Sequence, residues 1–374
     1  MVQPPIRVTH VVFDFNGGGL ESLVAEMGAR FRGSAVRVSL ITLSGRIGRL
    51  GALTRDRFDQ FEVLRPRPGL SMIWPTGIAR AIRKTAPDVV HLHSGAWYKP
   101  ARAARLAGVR RVIFTEHGRE HDDPPLRQWL DRRAARYTDV VVAVSDRLAR
   151  YLVNNVGIDA GRVTTIHSGV DTALFAPGPA PESLRQRLEI PEGAIVVGSV
   201  GRLELVKAHE RLLDAVAQLR DRLAQPVVVV ICGDGSRRDA LLQHAAQLGI
   251  ADLLRLPGWL DNPVQAYRLF DLFVLPSRSE GQSLSLMEAM ACGVPAVVTD
   301  VGANAEMLGP NFRNQVVPSE PGGALADAIV ATLTKAQSSN EMSSKLRRRA
   351  LDHYSLDRMV RQYELLYRAV GVTQ

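Results

Sequence analysis

The stretch Pro276-Ser277-Arg278-Ser279-Glu280-Gly281-Gln282-Ser283-Leu284-Ser285-Leu286-Met287-Glu288-Ala289-Met290-Ala291-Cys292-Gly293-Val294-Pro295 lies between two apolar runs, Leu272 to Leu275 and Ala296 to Val298. This pattern predicts strand, loop, buried helix and strand, the crossover unit of a parallel sheet. From Leu284 to Cys292 the only polar side chains are Ser285 and Glu288, three positions apart and therefore on one edge of the helix. A carboxylate on such a helix is costly unless something bonds it, so Glu288 should face a partner or a ligand. Glu280 sits in the loop before the helix, where Gly281, Gln282, Ser283 and Leu284 offer backbone N–H groups and the positive end of the helix dipole suits an anion. Loops at the carboxyl ends of parallel strands are where open α/β sheets bind ligands. A capping Glu280 and a salt-bridged Glu288 account for the same residues without a ligand.

The Glu-Xaa7-Glu spacing, with Glu-Ala-Met-Ala and Gly-Val-Pro behind it, resembles the donor-binding signature of glycosyltransferase family 4, retaining enzymes of the GT-B fold. The resemblance implies an α/β chain of two Rossmann-like domains whose parallel sheets face an interdomain cleft. It extends along most of the sequence. Gly201-Arg202-Leu203, followed by Lys207, comes after a predicted strand Ile195 to Val200 and matches the family's diphosphate-binding pattern. Two cations beside free helix N–H groups suit a diphosphate on chemical grounds as well. The strand Val227 to Cys232 leads into Gly233-Asp234-Gly235, a turn where a nucleotide base would approach. Pro257-Gly258-Trp259 is familiar from the same enzymes, with Trp259 read as a core residue. Thr299-Asp300-Val301-Gly302-Ala303 resembles a family loop in which the second position of a glycine pair is here Ala303.

Strands at about Arg7 to Phe15, Val36 to Thr42, Phe61 to Leu64, Val89 to Leu92, Arg111 to Thr115, Val140 to Val144 and Val163 to Ile166 alternate with helical stretches in the first half. The first strand runs into Asn16-Gly17-Gly18-Gly19, which is not a dinucleotide fingerprint. Such a triplet is a tight turn or a close approach to a ligand. By resemblance, Gly18 and Gly19 belong to the amino-terminal glycine loop beside the donor. Thr115-Glu116-His117-Gly118-Arg119 stands where family members carry a histidine next to the donor sugar, which implies that His117 contacts the sugar; a loop histidine bonded to a neighbouring acid is the alternative. His91-Xaa-His93 is read as cleft-lining or packed, since two alternating histidines make a weak metal signal. Ile166-His167-Ser168-Gly169-Val170-Asp171 takes the place of the family's turn before the second domain. The Pro/Gly-rich segment 176–181 is the expected boundary, giving residues 1–176 as an acceptor-binding domain and 182–356 as a donor-binding domain. The final helix, within 357–374, is expected to cross back onto the first domain.

A chain of 374 residues, 46% hydrophobic, suffices for two cores. Cys232 and Cys292 have no metal-type spacing and read as buried free thiols of a reducing compartment. The opening Met1-Val2-Gln3-Pro4-Pro5 lacks a signal-type apolar segment, and no run is long enough to span a membrane, so a cytoplasmic location is expected. The net charge of +9 is uneven: residues 1–185 hold 27 Lys and Arg against 17 Asp and Glu, the remainder 20 against 21. Arg46, Arg49, Arg55, Arg57, Arg65, Arg67, Arg80, Arg83, Lys84, Arg132, Arg133 and Arg136 fit either the anionic inner face of a membrane, an anionic acceptor or a solvated basic surface. No recognition helix or aromatic platform accompanies them, which argues against nucleic acid.

Glycosyl transfer requires stabilisation of an ionised leaving group. No Asp-Xaa-Asp triplet is present to hold a divalent ion. Arg202, Lys207 and the helix dipole after Glu280 supply positive charge instead, so neither metal nor cofactor is expected. The resemblance implies retention by a front-face route in which the departing phosphate accepts the acceptor's proton. It also implies that His117, Arg202, Lys207 and Glu280 act at the reacting centre, that Glu280 holds donor hydroxyls and that Glu288 accepts both ribose hydroxyls. The expected reaction moves a hexose from a nucleoside diphosphate sugar, UDP- or GDP-linked, to a cell-surface glycan or lipid-linked acceptor. A nucleotide-sugar epimerase or hydrolase, and a transferase for a small soluble acceptor, are the alternatives.

Overall fold

The computed structural model describes residues 4–65, 75–119, 123–219, 222–320, 322–338 and 340–369; Met1, Val2, Gln3 and Arg67 lie outside these. The strands are β1 (Ile6–Val12), β2 (Val36–Thr42), β3 (Phe61–Val63), β4 (Val89–His93), β5 (Arg111–Glu116), β6 (Val140–Ala143), β7 (Val163–Thr165), β8 (Ile195–Val200), β9 (Val227–Cys232), β10 (Leu254–Gly258), β11 (Leu272–Leu275), β12 (Ala296–Thr299) and β13 (Val316–Val317). They form two sheets, in the orders β3-β2-β1-β4-β5-β6-β7 and β10-β9-β8-β11-β12-β13, with parallel pairing throughout. Near-continuous Val, Ile and Leu in the central strands is what burial on both faces demands. Val89, Val90 and Leu92 of β4, and Leu272, Phe273 and Val274 of β11, are fully buried.

The chain divides into two compact units, residues 1–168 with 357–374, and residues 169–356. The break falls between Ser168 and Gly169, ahead of the expected 176–181 segment. Segment 169–181 packs with the second unit for identifiable reasons. Val170 pairs with Ser355, its N–H donating to the Tyr354 carbonyl at 2.9 Å while its own carbonyl accepts from Leu356 N–H at 2.8 Å. A Cβ on Gly169 would lie 2.6 Å from Leu356 Cα, so only glycine allows this approach. Phe175 is buried in the second core, and the Arg347 guanidinium donates to the Thr172 and Phe175 carbonyls. A Pro/Gly-rich segment reads as a linker, but here side-chain donors satisfy its carbonyls.

In the first unit the helix Leu356–Arg368 lies on the first sheet through buried Tyr363 and Tyr367. The Tyr367 hydroxyl bonds His91 Nδ1 at 2.7 Å and the Tyr363 hydroxyl bonds Thr115 Oγ1 at 3.0 Å. Among the described residues no helix is long and apolar enough to cross a membrane. Cys232 and Cys292 are free and buried, and burial pushes both thiols up to about 12.

Candidate functional site

In the second sheet the strand order reverses between β8 and β11, and the loops that leave those strands meet there. A point where the order reverses opens a crevice at the carboxyl edge, the usual ligand position of such sheets. The loop after β8 carries Gly201, Arg202 and Lys207; the loop after β11 carries Glu280 to Ser283. Lys207 Nζ donates to Glu280 Oε1 at 2.6 Å, and the fully buried Ser277 hydroxyl donates to the same oxygen at 2.6 Å. The Lys207 stem crosses Gly201, its Cε lying 3.6 Å from where a Cβ would be. Arg202 is exposed; its carbonyl accepts from the Glu204 N–H, while its guanidinium forms no hydrogen bond or salt bridge among the described residues and acts on Glu204 only through its charge.

Glycines let these loops close on one another. A Cβ on Gly233 would lie 1.9 Å from the Gly201 carbonyl oxygen, and one on Gly302 would lie 2.2 Å from that of Glu280. Both have positive φ, +142° and +54°, which a side chain would also resist. Backbone bonds stitch the same loops: Leu203 N–H to Asp234 O, Arg278 N–H to Val206 O and Ala303 N–H to Gly281 O, at 2.8 to 2.9 Å. Ala303 has φ −98°, so the alanine in place of a second glycine is unstrained. Asp234 Oδ1 accepts from the Gly235 N–H, holding the turn after β9.

The helix Leu284–Ala291 is capped by Ser283, whose hydroxyl accepts from Leu286 N–H. Leu286, Met287, Ala289, Met290 and Ala291 are buried, leaving Leu284, Ser285 and Glu288 as its less buried edge. Glu288 is met by Tyr267, whose hydroxyl donates to Glu288 Oε2. Burial among apolar neighbours pushes the Glu288 carboxyl up to about 7, with the Tyr267 bond pulling the other way. Tyr267 carries no motif; its only sequence signal is a tyrosine on an otherwise core-facing helix, Val264–Leu269. Trp259, expected in the core, is 59% exposed, because the chain leaves β10 at Gly258 and carries the indole outward.

In the first sheet the order reverses between β1 and β4. The loop after β1 holds Gly18, the N-cap of the helix Gly19–Phe31. His10 of β1 and His91 of β4 are paired in register, and His93, two residues on, shares their face. His10, His91 and His93 are fully buried, and His117 follows β5 at the same edge, partly buried. His10 Nδ1 lies 2.9 Å from His93 Nε2, and His93 Nδ1 lies 3.0 Å from His117 Nε2. His10, His91 and His93 offer nitrogens within 4.8 Å of one another, a spacing that admits a cation. Both nitrogens of His91 and of His93 are nevertheless already engaged, those of His91 by Tyr367 and Thr115. Burial lowers His10 to about 3 and His117 to about 4, and holds His91 and His93 well below the ordinary value. Strand alternation and strand pairing together were the signal that could have placed these rings in one row.

Glu116 and Arg119, neighbours of His117, are structural. The Arg119 guanidinium, 4% exposed, pairs with Glu116, Asp123 and Asp131 at 3.2, 2.7 and 2.6 Å. Ser94 donates to Glu116 Oε1 and accepts the His117 backbone N–H, at 2.6 and 2.7 Å, which anchors the loop.

Two family descriptions match the chain, Glycosyltransferase Family 4 over residues 17–174 and Glycosyl transferases group 1 over residues 181–350. A D-inositol 3-phosphate glycosyltransferase of Geodermatophilus obscurus is 35% identical over 307 residues, 76% of this chain and 67% of the relative. The chain belongs to glycosyltransferase family 4. The matched ranges of this family 4 chain contain His91, His93 and His117 of the first set and Arg202, Lys207, Glu280 and Glu288 of the second; His10 precedes them. Its likeness to the UDP-Gal:alpha-D-GlcNAc-diphosphoundecaprenol alpha-1,3-galactosyltransferase of Escherichia coli is 26% identity over 298 residues, 77% of each chain. Other curated D-inositol 3-phosphate glycosyltransferases are matched over only 42% and 60% of their own length. The crystal structure of Anabaena Alr3699/HepE in complex with UDP and glucose superposes with a TM-score of 0.84 over 97% of this chain and all of that one, at 20% identity, which shows the GT-B fold.

Proposed function

We propose that this chain transfers a hexose from a UDP- or GDP-linked sugar to a cell-surface glycan or lipid-linked acceptor, with retention at the sugar and without a metal. The observation that carries the reading is the meeting of Lys207 and Glu280, from separate loops, at the point where the second sheet reverses its strand order. In the proposed reaction the bond between sugar carbon and diphosphate breaks, the acceptor oxygen bonds to that carbon, and the acceptor's proton passes to the departing phosphate. Arg202, Lys207 and the N–H groups of 281–284 face the charge that develops on the diphosphate. Glu280 holds donor hydroxyls, Glu288 the ribose, and His117 the transferred sugar, while Gly233, Asp234 and Gly235 flank the base. The likeness to an enzyme named for a diphosphoundecaprenol acceptor supports a lipid-linked substrate. The relatives named for D-inositol 3-phosphate favour a second reading, a small soluble acceptor. The exposed basic residues of the first unit would, on the first reading, meet an anionic membrane; salt-sensitive sedimentation with anionic vesicles tests that.

The deciding experiment is a thermal-shift screen of nucleotide sugars with EDTA present, followed by turnover of the Arg202→Ala variant. Because the exposed Arg202 guanidinium makes no hydrogen bond or salt bridge among the described residues, its loss should change stability little while turnover falls tens- to thousandfold, about 2–4 kcal/mol of transition-state charge. Full activity in that variant, or loss of binding in EDTA, would refute the assignment. Proton NMR of the product reads retention from the anomeric coupling.

A further inference from the structure

The row His10, His93, His117 has a property that none of its members has alone. A neutral imidazole carries one N–H and one lone pair, and each hydrogen bond needs one of each. Both links in the row run from the Nδ1 of one ring to the Nε2 of the next. If His10 donates through Nδ1, then His93 accepts at Nε2 and must carry its proton on Nδ1; it then donates to His117, which must also carry its proton on Nδ1. If the bonds run the other way, all three rings carry the proton on Nε2. Mixed tautomers leave a donor facing a donor or a lone pair facing a lone pair inside the fold, where a buried polar atom without its partner is costly. The depressed titration of all three rings keeps them neutral near pH 7, the condition on which this counting rests.

The far end of the row is closed. His10 Nε2 is buried with no hydrogen-bond partner among the described residues, so a proton passed inward along the row meets no acceptor there. The row is therefore unsuited to conducting protons and suited to holding one arrangement of them. At the other end His117 Nδ1 makes no hydrogen bond among the described residues, and its protonation decides whether the imidazole offers a donor or an acceptor.

We propose that His10 and His93 are positioning residues that lock the tautomer and ring orientation of His117, so that it presents one fixed hydrogen-bonding character to the transferred sugar. This rests on the reading of His117 as a sugar-contacting group. The coupling itself is read in the ligand-free protein, so its failure and the failure of that reading are distinguishable.

The experiment is a long-range nitrogen-15 NMR spectrum of the full chain at pH 7.5, which distinguishes Nδ1–H, Nε2–H and averaged rings. His10, His93 and His117 are expected to share one tautomer; two different tautomers among the three would overturn the proposal. The His93→Phe variant retains ring packing and removes both links. In it the His117 signals should move to the averaged pattern. Turnover should drop by roughly tenfold or more, the lower end of what misoriented imidazoles cost, while KM for the nucleotide sugar changes less than about twofold. An unchanged His117 signature in a folded variant would also overturn the coupling. A normal wild-type spectrum combined with full activity in His117→Ala would instead remove the sugar-contact reading, and with it the positioning role.

Discussion

The Tyr267–Glu288 pair gives the sharpest prediction, because the proposed role of Glu288 requires its charge. A carboxyl at about 7 is half ionised at pH 7 and about one-tenth ionised at pH 6. If only the ionised form accepts both ribose hydroxyls, the apparent Kd for the nucleotide sugar weakens about fivefold between pH 7 and pH 6. Tyr267→Phe keeps the ring against Phe175, Phe270 and Phe273 and removes only the hydroxyl that favours the charged carboxylate. A hydrogen bond to a charged group contributes about 1.5–3 kcal/mol, or about 1–2 pKa units. The variant's midpoint therefore moves to about 8–9, and its Kd at pH 7 weakens about fivefold to fiftyfold, recovering above the new midpoint. Isothermal titration with UDP- or GDP-glucose from pH 5.5 to 9.5 measures both curves, since the diphosphate of a nucleotide sugar does not titrate over that range. Superimposable curves for wild type and Tyr267→Phe, or a flat wild-type curve between pH 6 and 8, would refute the reasoning.

Three further outcomes are expected. Gly302→Ala forces a Cβ to within 2.2 Å of the Glu280 carbonyl at a left-handed position, so chemical denaturation should show a loss of about 1–3 kcal/mol together with weaker nucleotide-sugar binding. Arg119→Met leaves Glu116, Asp123 and Asp131 with only the half-exposed Arg127, 3.9 Å from Glu116 and 3.5 Å from Asp123, and should cost about 3–5 kcal/mol; an unchanged melting temperature would show that the cluster is not held by the Arg119 charge. For His10, folding lowers the pKa from 6.5 to about 3, so the unfolded chain takes up the proton first. Its contribution is complete above pH 6.5 and is lost as pH falls toward 3, about 2 kcal/mol of that by pH 5. His10→Phe should therefore flatten the fall in melting temperature between pH 7 and 5, and a slope identical to wild type would count against a neutral buried His10.

Most of the strand pattern was legible because buried parallel strands must be written in Val, Ile and Leu; the two-residue β13 was too short to register. The placement of Arg202, Lys207 and Glu280 in loops that follow strands was legible too, since glycines and charged residues after an apolar run mark a strand end. The domain boundary was not. Pro and Gly announce a break in regular structure, but whether Phe175 and its neighbours pack or swing free depends on Arg347, distant in sequence. Trp259 failed for the related reason that composition does not say on which side of a turn a ring emerges.

Sequence by itself therefore determined the sheets, the crossovers and the identity of the charged groups, because periodicity and residue chemistry are local properties. Tertiary structure alone decided who meets whom: Lys207 with Glu280, Tyr267 with Glu288, and histidines from two strands and from the loop after a third in one hydrogen-bonded row. These pairings join residues far apart along the chain and follow from strand order and register. They set the protonation states on which the proposed chemistry depends.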